Sequence, residues 1–499
     1  MQRGVLYHNQ HKLATQGLKE KAVSGMFWSF SDSMTTQVAQ FIIGLILARI
    51  LSPEEFGLVG MITVFLAVSQ SIVDSGFGQA LVRKQDISDS DYSTVFFFNL
   101  IAGVVIFFIF YLAAPWMATF YDRPELKSIA RALAFIILIN ATNITQRTRL
   151  TRSINFRQLM KVNLTSAVIS GSIAIGMALS GFGVWSLVAR SIAGSLVQAI
   201  ILWYRSRWVP AFGFNRKSFK SLFSFGSRLL VSGLLDTIYR NIYLLIIGKF
   251  FSAAELGYYT RSDQFTRLAS QNLTGTVQRV SYPVLSMVQD EDERLKAGYR
   301  KLIQSTMYVT FLVMLGMAAM ARPMIVTLIG EKWLPSVEYL QLLCFSAMLF
   351  PLHALNLNIL NVKGRSDLFL RLEIVKKLLA VPVILAGIAL GIKAMLVGLI
   401  ILSFISYFIN SYYSARMIRY PVSEQLEDIL PSFLLALAIA GVVFPVSLIP
   451  GPGQLLLFIL QLVIMSVLSV IVSKALKING YIEIKRILIS KVPQLNRIL

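Results

Sequence analysis

Apolar runs of about 20 residues or more, parted by short polar breaks, recur along the whole chain, and that length is what a helix needs to cross the hydrocarbon of a bilayer. Read against the charged breaks, the runs predict helices near residues 22–51, 55–75, 92–114, 127–149, 158–180 and 183–204. They continue near 219–250, 255–284, 299–321, 336–361, 367–391, 394–418, 429–449 and 454–476. The expected fold is an all-α integral membrane protein with about 14 transmembrane helices. The pattern sets out a segment at 1–21, six helices within 22–205, six more within 206–418, two within 419–476 and a basic amphipathic tail at 477–499.

Composition agrees. The 499 residues are 56% hydrophobic and 14% charged, with a mean hydropathy of +0.66, which would leave a water-soluble domain with large exposed apolar surfaces. A net charge of +22 in a soluble chain would point to nucleic acid. With this hydropathy it points to lipid headgroups and topology signals instead, and no nucleic-acid partner is expected. One cysteine, Cys344, excludes an internal disulfide and a cysteine metal cluster, and three histidines offer little for a metal. No metal, cofactor or catalytic residue is expected. After Lys12, Lys19 and Lys21 the apolar segment continues to Leu51 without a small-residue cleavage pattern, so it reads as a permanent first span.

Basic residues collect on alternate connections: Arg83 and Lys84, then Arg147 to Lys161, Arg205 to Lys220, Arg294 to Lys301, Lys363 to Arg371, and the tail from Lys474 onward. The opposite connections are nearly bare, with Arg49, Arg123 and Lys249 among their few cations. By the positive-inside rule both termini are expected in the cytoplasm. Every external connection is short, leaving no room for an external domain.

An internal repeat accompanies this pattern. Arg49-Ile50-Leu51-Ser52-Pro53-Glu54-Glu55-Phe56-Gly57 is echoed 200 residues later by Lys249-Phe250-Phe251-Ser252-Ala253-Ala254-Glu255-Leu256-Gly257. Ser with Glu three residues on is also an ordinary capping box. Read as a repeat, its period is six spans, an even number, so the copies face the same way. Two six-helix lobes related by a pseudo-two-fold axis along the membrane normal follow, with two extra C-terminal helices.

Polar side chains at membrane depth mark candidate sites, because each buried charge costs about 2.5–3.5 kcal/mol on insertion scales. The seventh span carries Arg228, Asp236 and Arg240. Asp236 and Arg240 lie four apart on one face, which equally suits an intrahelical ion pair. In the eighth, Thr260, Gln264, Arg267, Gln271, Thr274 and Gln278 form one polar stripe, as expected of a helix that lines a lumen. Asn140 and Asn143 read as softer lining, and His353 as a hydrogen-bonded packing residue. The first span is polar from Ser29 to Gln40 and holds Asp32. Guanidiniums at Arg228, Arg240 and Arg267, expected to lack carboxylate partners in a shared chamber, suit phosphate oxygens, so the cavity favours an anion such as a diphosphate.

The polar first span ending in Ala48-Arg49-Ile50-Leu51-Ser52-Pro53-Glu54-Glu55-Phe56-Gly57, the Asp74-Ser75-Gly76-Phe77-Gly78 turn and the Gly330-Glu331-Lys332-Trp333 loop resemble bacterial polysaccharide flippases. The resemblance covers essentially the whole chain and extends to the wider group that includes multidrug exporters of the MATE type and the peptidoglycan-precursor flippase. It implies translocation of undecaprenyl-diphosphate-linked repeat units of O-antigen, capsule or colanic-acid type across the bacterial cytoplasmic membrane by alternating access. Lipids are implied as surroundings, and glycosyltransferases and a polymerase as neighbours. It places a lumen cation at Arg267. Asp32 stands where the peptidoglycan-precursor flippase has arginine, and is similar to the acid that couples MATE exporters to protons or sodium. Asp32 and Asp236 are therefore the candidate coupling acids. A MATE-like ion-coupled drug antiporter is the alternative, disfavoured by three interior arginines against two acids. An enzyme is not expected, since the external loops are short and nearly free of histidine, and no Walker phosphate loop is present.

Overall fold

The computed structural model describes residues 2–491, apart from the side chains at 2–23, 271, 276, 279–280, 282–283, 487–488 and 490–491. Among the described residues every regular element is helical. Twelve helices or helix pairs there are long and apolar enough to cross a membrane, so the chain is a multi-pass membrane protein. The other two expected crossings are also long helices, Ala253–Ser286 and Ser366–Leu390. Hydroxyl and amide side chains, from Ser270 and Gln271 to Gln278 and Ser281, keep the first too polar, and Glu373, Lys376 and Lys377 put too many charges in the second.

The chain divides into two compact units that meet in sequence at Gly257 and Tyr258. The first is built from α1 (Gln2–Ile50), α2 (Pro53–Asp74), α3 (Phe77–Arg83), α4 (Asp89–Tyr121), α5 (Leu126–Arg152), α6 (Phe156–Leu179), α7 (Val184–Ser206), α8 (Arg216–Phe250) and the start of α9 (Ala253–Ser286). Here α4 packs along α5, α6 along α1 and α7, and α8 against α2, α3 and α4.

Local chemistry sets the helix ends. Glu55 Oε2 accepts from the Ser52 N–H at 2.6 Å and Ser52 Oγ from the Glu55 N–H at 3.3 Å, the expected capping box, with Pro53 in the first turn. Ser88 and Asp91 repeat the device on α4, where Asp91 also pairs with Lys84 at 2.7 Å. Between α2 and α3, Ser75 (φ 48°) and Gly76 (φ 69°) turn the chain through the left-handed region. A Cβ on Gly76 would lie 2.7 Å from the Gly226 carbonyl oxygen on α8, so glycine serves both the turn and the close approach. Arg152 donates to the carbonyls of Leu81 and Gln85, at 2.7 Å each, and of Lys84, satisfying the orphan carbonyls at the end of α3.

The two copies of the repeated motif meet. Ser252 Oγ accepts from the Glu255 N–H at 3.1 Å, as Ser52 does for Glu55. A Cβ on Gly57 would fall 1.7 Å from the Ala253 carbonyl oxygen, and one on Gly257 would fall 2.0 Å from that of Pro53. An offset of 200 residues maps one contact onto the other.

The second unit contains the rest of α9 and α10 (Asp292–Ala319), α11 (Ala321–Ile329), α12 (Pro335–Ala347), α13 (Phe350–Val362), α14 (Ser366–Leu390), α15 (Ile392–Ile418), α16 (Val422–Val443), α17 (Gln454–Ala475) and α18 (Asn479–Lys491). Its hub is α10, which packs on α12, α13, α15, α16 and α18. The helix expected at 336–361 is interrupted between Ala347 and Phe350, because Pro351 in the first turn of α13 cannot continue the hydrogen-bond ladder of α12. Cys344 is fully buried on α12.

Asp428 gathers the start of α10 and α16. It pairs with Arg300 at 2.6 Å, accepts from Gln304 Nε2 at 2.7 Å and from the Tyr420 hydroxyl at 2.5 Å. Burial, with the Asp428 carboxylate as its acceptor, pushes the Tyr420 phenol well above its ordinary range. Asp428→Ala should therefore lower stability by about 1–3 kcal/mol, since three donors lose their acceptor together. Denaturant melting of the detergent-solubilised protein checks this, and a wild-type midpoint would contradict it.

The tail, expected to lie on the membrane surface, begins by packing on α10: Ile478 and Tyr481 are buried, and a Cβ on Gly480 would lie 2.5 Å from the Gln304 carbonyl oxygen. The absent side chain at Gly480 lets α18 approach. Tail residues 492–499 lie outside the described residues.

Candidate functional site

Two polar cavities inside the first unit hold most of its candidate chemistry. The larger, about 1040 Å³, lies among α2, α3, α5 and α8. Its charged lining is Arg83, Arg147 and Arg240 with Asp74 and Asp236, supplemented by the amides of Gln70, Gln79 and Asn241. The Ser75-Gly76 turn sets Asp74 at the end of α2 and sends α3 back past the cavity, so that Arg83 reaches it from the end of α3. The Arg83 guanidinium stacks on Phe225, 4.4 Å from the ring centroid, which fixes its plane. Arg240 pairs with Asp236 at 2.8 Å along α8. Arg147 is exposed in the cavity, has no carboxylate within ion-pair distance among the described residues, and lies close enough to Asp74 to feel its charge.

The smaller cavity, about 480 Å³, lies among α1, α5, α6 and α7. Arg147 lines it as well, together with Arg190. Apart from Ala167 and Gly194, every other lining residue carries a hydroxyl or an amide. Behind the wall Asp32 accepts from Asn163 Nδ2 at 3.1 and 3.0 Å and from Thr36 at 3.1 Å, and Gln198 donates to Asn163 Oδ1 at 2.8 Å. This chain ties α1, α6 and α7 together through one carboxylate.

The candidate residues fall into four groups. Arg240 and Asp236 line the larger cavity, and Asn140 donates to the lining residue Gln70 at 3.1 Å. Asp32 touches the smaller cavity through Thr36 and Asn163. Arg228 is exposed but lines neither cavity, and Asn143 is buried with both amide atoms unpartnered. In the second unit Arg267 pairs with Asp263 at 2.5 Å, and Gln264 accepts from Arg261 at 2.5 Å. Gln278 is exposed, and the Gln271 side chain lies outside the described residues. The expectation of three guanidiniums without carboxylate partners is thus corrected at Arg240 and Arg267, where an acid one helical turn earlier on the same face reaches each.

Residues 46–338 match the family described as polysaccharide biosynthesis protein, a stretch of more than half the chain. The chain belongs to the polysaccharide biosynthesis protein family. Among relatives of this family member, the teichuronic acid biosynthesis protein TuaB of Bacillus subtilis (strain 168) is 29% identical over 437 residues, covering 86% of this chain and 90% of TuaB. The succinoglycan biosynthesis transport protein ExoT of Rhizobium meliloti (strain 1021) is 27% identical over 319 residues, 64% of this chain and 65% of ExoT. In fold, the protein is similar to the lipid II flippase MurJ in an inward closed conformation, with a TM-score of 0.73 at 14% identity over 90% of this chain and 98% of that one.

Three lining cations of this polysaccharide biosynthesis protein escape a reading by spans. Arg83 and Arg147 look like loop residues because they follow the apolar runs, yet α3 and α5 carry both into the cavity. A signal existed for Arg147: it lies seven residues after Asn140, on nearly the same helical face. Arg190 has one too, since Arg190, Gly194 and Gln198 recur every four residues in a helix with no other charge before Arg205.

Proposed function

We propose that this protein is a flippase that carries prenyl-diphosphate-linked oligosaccharide repeat units from the inner to the outer leaflet of the bacterial cytoplasmic membrane for surface polysaccharide synthesis. The observation that carries this reading is the cluster of Arg83, Arg147 and Arg240 around one large cavity inside an otherwise apolar protein. Guanidinium forks bind phosphate oxygens strongly, and of the three only Arg240 has a carboxylate at ion-pair distance among the described residues. The diphosphate occupies the larger cavity, the glycan extends into the polar region beyond Arg147, and the prenyl tail stays in lipid. The names of TuaB and ExoT, in polysaccharide synthesis and transport, and the MurJ-like fold support it. A drug antiporter for cations would want a net acidic wall, and here three arginines face two acids.

In this reading about 14 helices form two six-helix lobes, related by a pseudo-two-fold along the membrane normal and alternating access, plus two extra C-terminal helices, with both termini in the cytoplasm. Asp32, with Asp236 as the second candidate, couples transport to protons or sodium. Glycosyltransferases and a polymerase supply and consume the cargo. The test is transport of a fluorescent prenyl-diphosphate glycan by the full chain in proteoliposomes. Protein-dependent loss of fluorescence to an impermeant quencher supports the reading, and a rate equal to empty vesicles overturns it. Asp32→Asn should leave transport in the absence of a gradient intact but remove its acceleration by an imposed proton or sodium gradient. Undiminished acceleration would exclude Asp32 as the coupling site.

A further inference from the structure

The smaller cavity has a chemistry that a diphosphate does not use. It offers no aromatic ring and no large aliphatic side chain, whereas small-molecule sites of its size, which run to about 300–1,000 Å³, are mostly apolar. Its hydroxyls and amides suit a ligand made of hydroxyls. Asn163 and Gln198 are held in fixed orientations by the chain that ends at Asp32, so the wall is preorganised.

Arg190 is the only charged group in this wall that the larger cavity does not share. It sits six residues into α7, about 9 Å along the axis. Its guanidinium makes one long hydrogen bond, 3.4 Å to the Gln40 carbonyl oxygen, and no ion pair among the described residues. A guanidinium left so at membrane depth is costly unless an anion visits it. One unshared cation matches one negative charge, and its planar fork matches a carboxylate in a bidentate contact.

We infer that the smaller cavity is the seat of an acidic sugar of the cargo, a uronic-acid type of ring, with Arg190 binding its carboxylate while the hydroxyl and amide wall takes the ring hydroxyls. The inference rests on the transport reading above. Arg147, common to both cavities, then stands between the sugar carboxylate and the diphosphate, so cargo is checked at two anionic points set apart by α5. Neutral glycans satisfy one of them.

The experiment compares two prenyl-diphosphate disaccharides in proteoliposomes of the full chain, differing only in a glucuronate or a glucose ring. The wild type should move the glucuronate cargo about 10-fold faster, the scale of one charge-assisted contact. Arg190→Gln should remove that preference, slowing the glucuronate cargo to the rate of the glucose cargo. Arg190→Lys should restore part of it, because charge returns without the fork. Equal rates for the two cargoes in the wild type, or equal slowing of both by Arg190→Gln, overturns the inference. A second measurement does not depend on transport: methyl glucuronide and methyl glucoside are titrated into the detergent-solubilised protein by calorimetry. Binding of the glucuronide alone, lost in Arg190→Gln, supports the site even where neither cargo crosses, in which case the flippase reading alone fails. Indistinguishable titrations overturn the site.

Discussion

Arg147→Gln is expected to slow transport of a prenyl-diphosphate glycan by about 10- to 100-fold, the value of one or two charge-assisted hydrogen bonds to phosphate. The change should be nearly free of cost to the fold. Arg147 is exposed in the cavity and makes no ion pair among the described residues, so its removal strands no buried partner, and stability should stay within about 0.5 kcal/mol. Arg152, on the same helix, is the contrasting control. Its guanidinium holds three carbonyls at the end of α3, so Arg152→Gln should lower stability rather than affect the cargo directly. Proteoliposome transport and denaturant melting, run on both variants, separate the two effects. Wild-type transport by Arg147→Gln would remove the shared wall from the mechanism.

The second large effect is expected at the repeated motif. In Gly57→Ala a methyl group would land 1.7 Å from a backbone carbonyl oxygen, and in Gly257→Ala 2.0 Å from another. A backbone cannot rotate away as a side chain can, so the first turns of α2 and α9 must separate. Overpacking of this kind costs about 1–3 kcal/mol, occasionally more. Because both methyls push on one interface, the double variant should lose less than the sum of the single losses. Chemical denaturation of the three variants reads this directly. A Gly57→Ala protein that melts with the wild type would show that the close approach does not persist.

What the sequence made legible follows from the physics of each feature. Apolar length is a local property, so the helices could be placed from it, and the capping box at Ser52 and Glu55 could be read because its partners lie three residues apart. Asp236 and Arg240 were legible for the same reason, being neighbours on one helical turn. The Asp263 partner of Arg267 obeys that rule too, since it lies four residues earlier on the same helix. Arg147 was hidden because, in the last turn of the helix expected at 127–149, it counts among the basic residues of the connection that follows, whereas the helix continues through Arg152. The convergence of Arg83, Arg147 and Arg240 needs three helices distant in sequence and a turn that folds α3 back. No spacing along the chain encodes that.

Cys344 closes with a practical consequence. Its thiol is sealed within α12, so the accessible surface of the native protein offers maleimide reagents nothing to attack. A thiol introduced at an exposed position of a connection, such as Glu125 between α4 and α5, would carry a label alone on an otherwise silent background. Wild-type protein thus serves directly as the parent for reporting which side of the bilayer each connection faces.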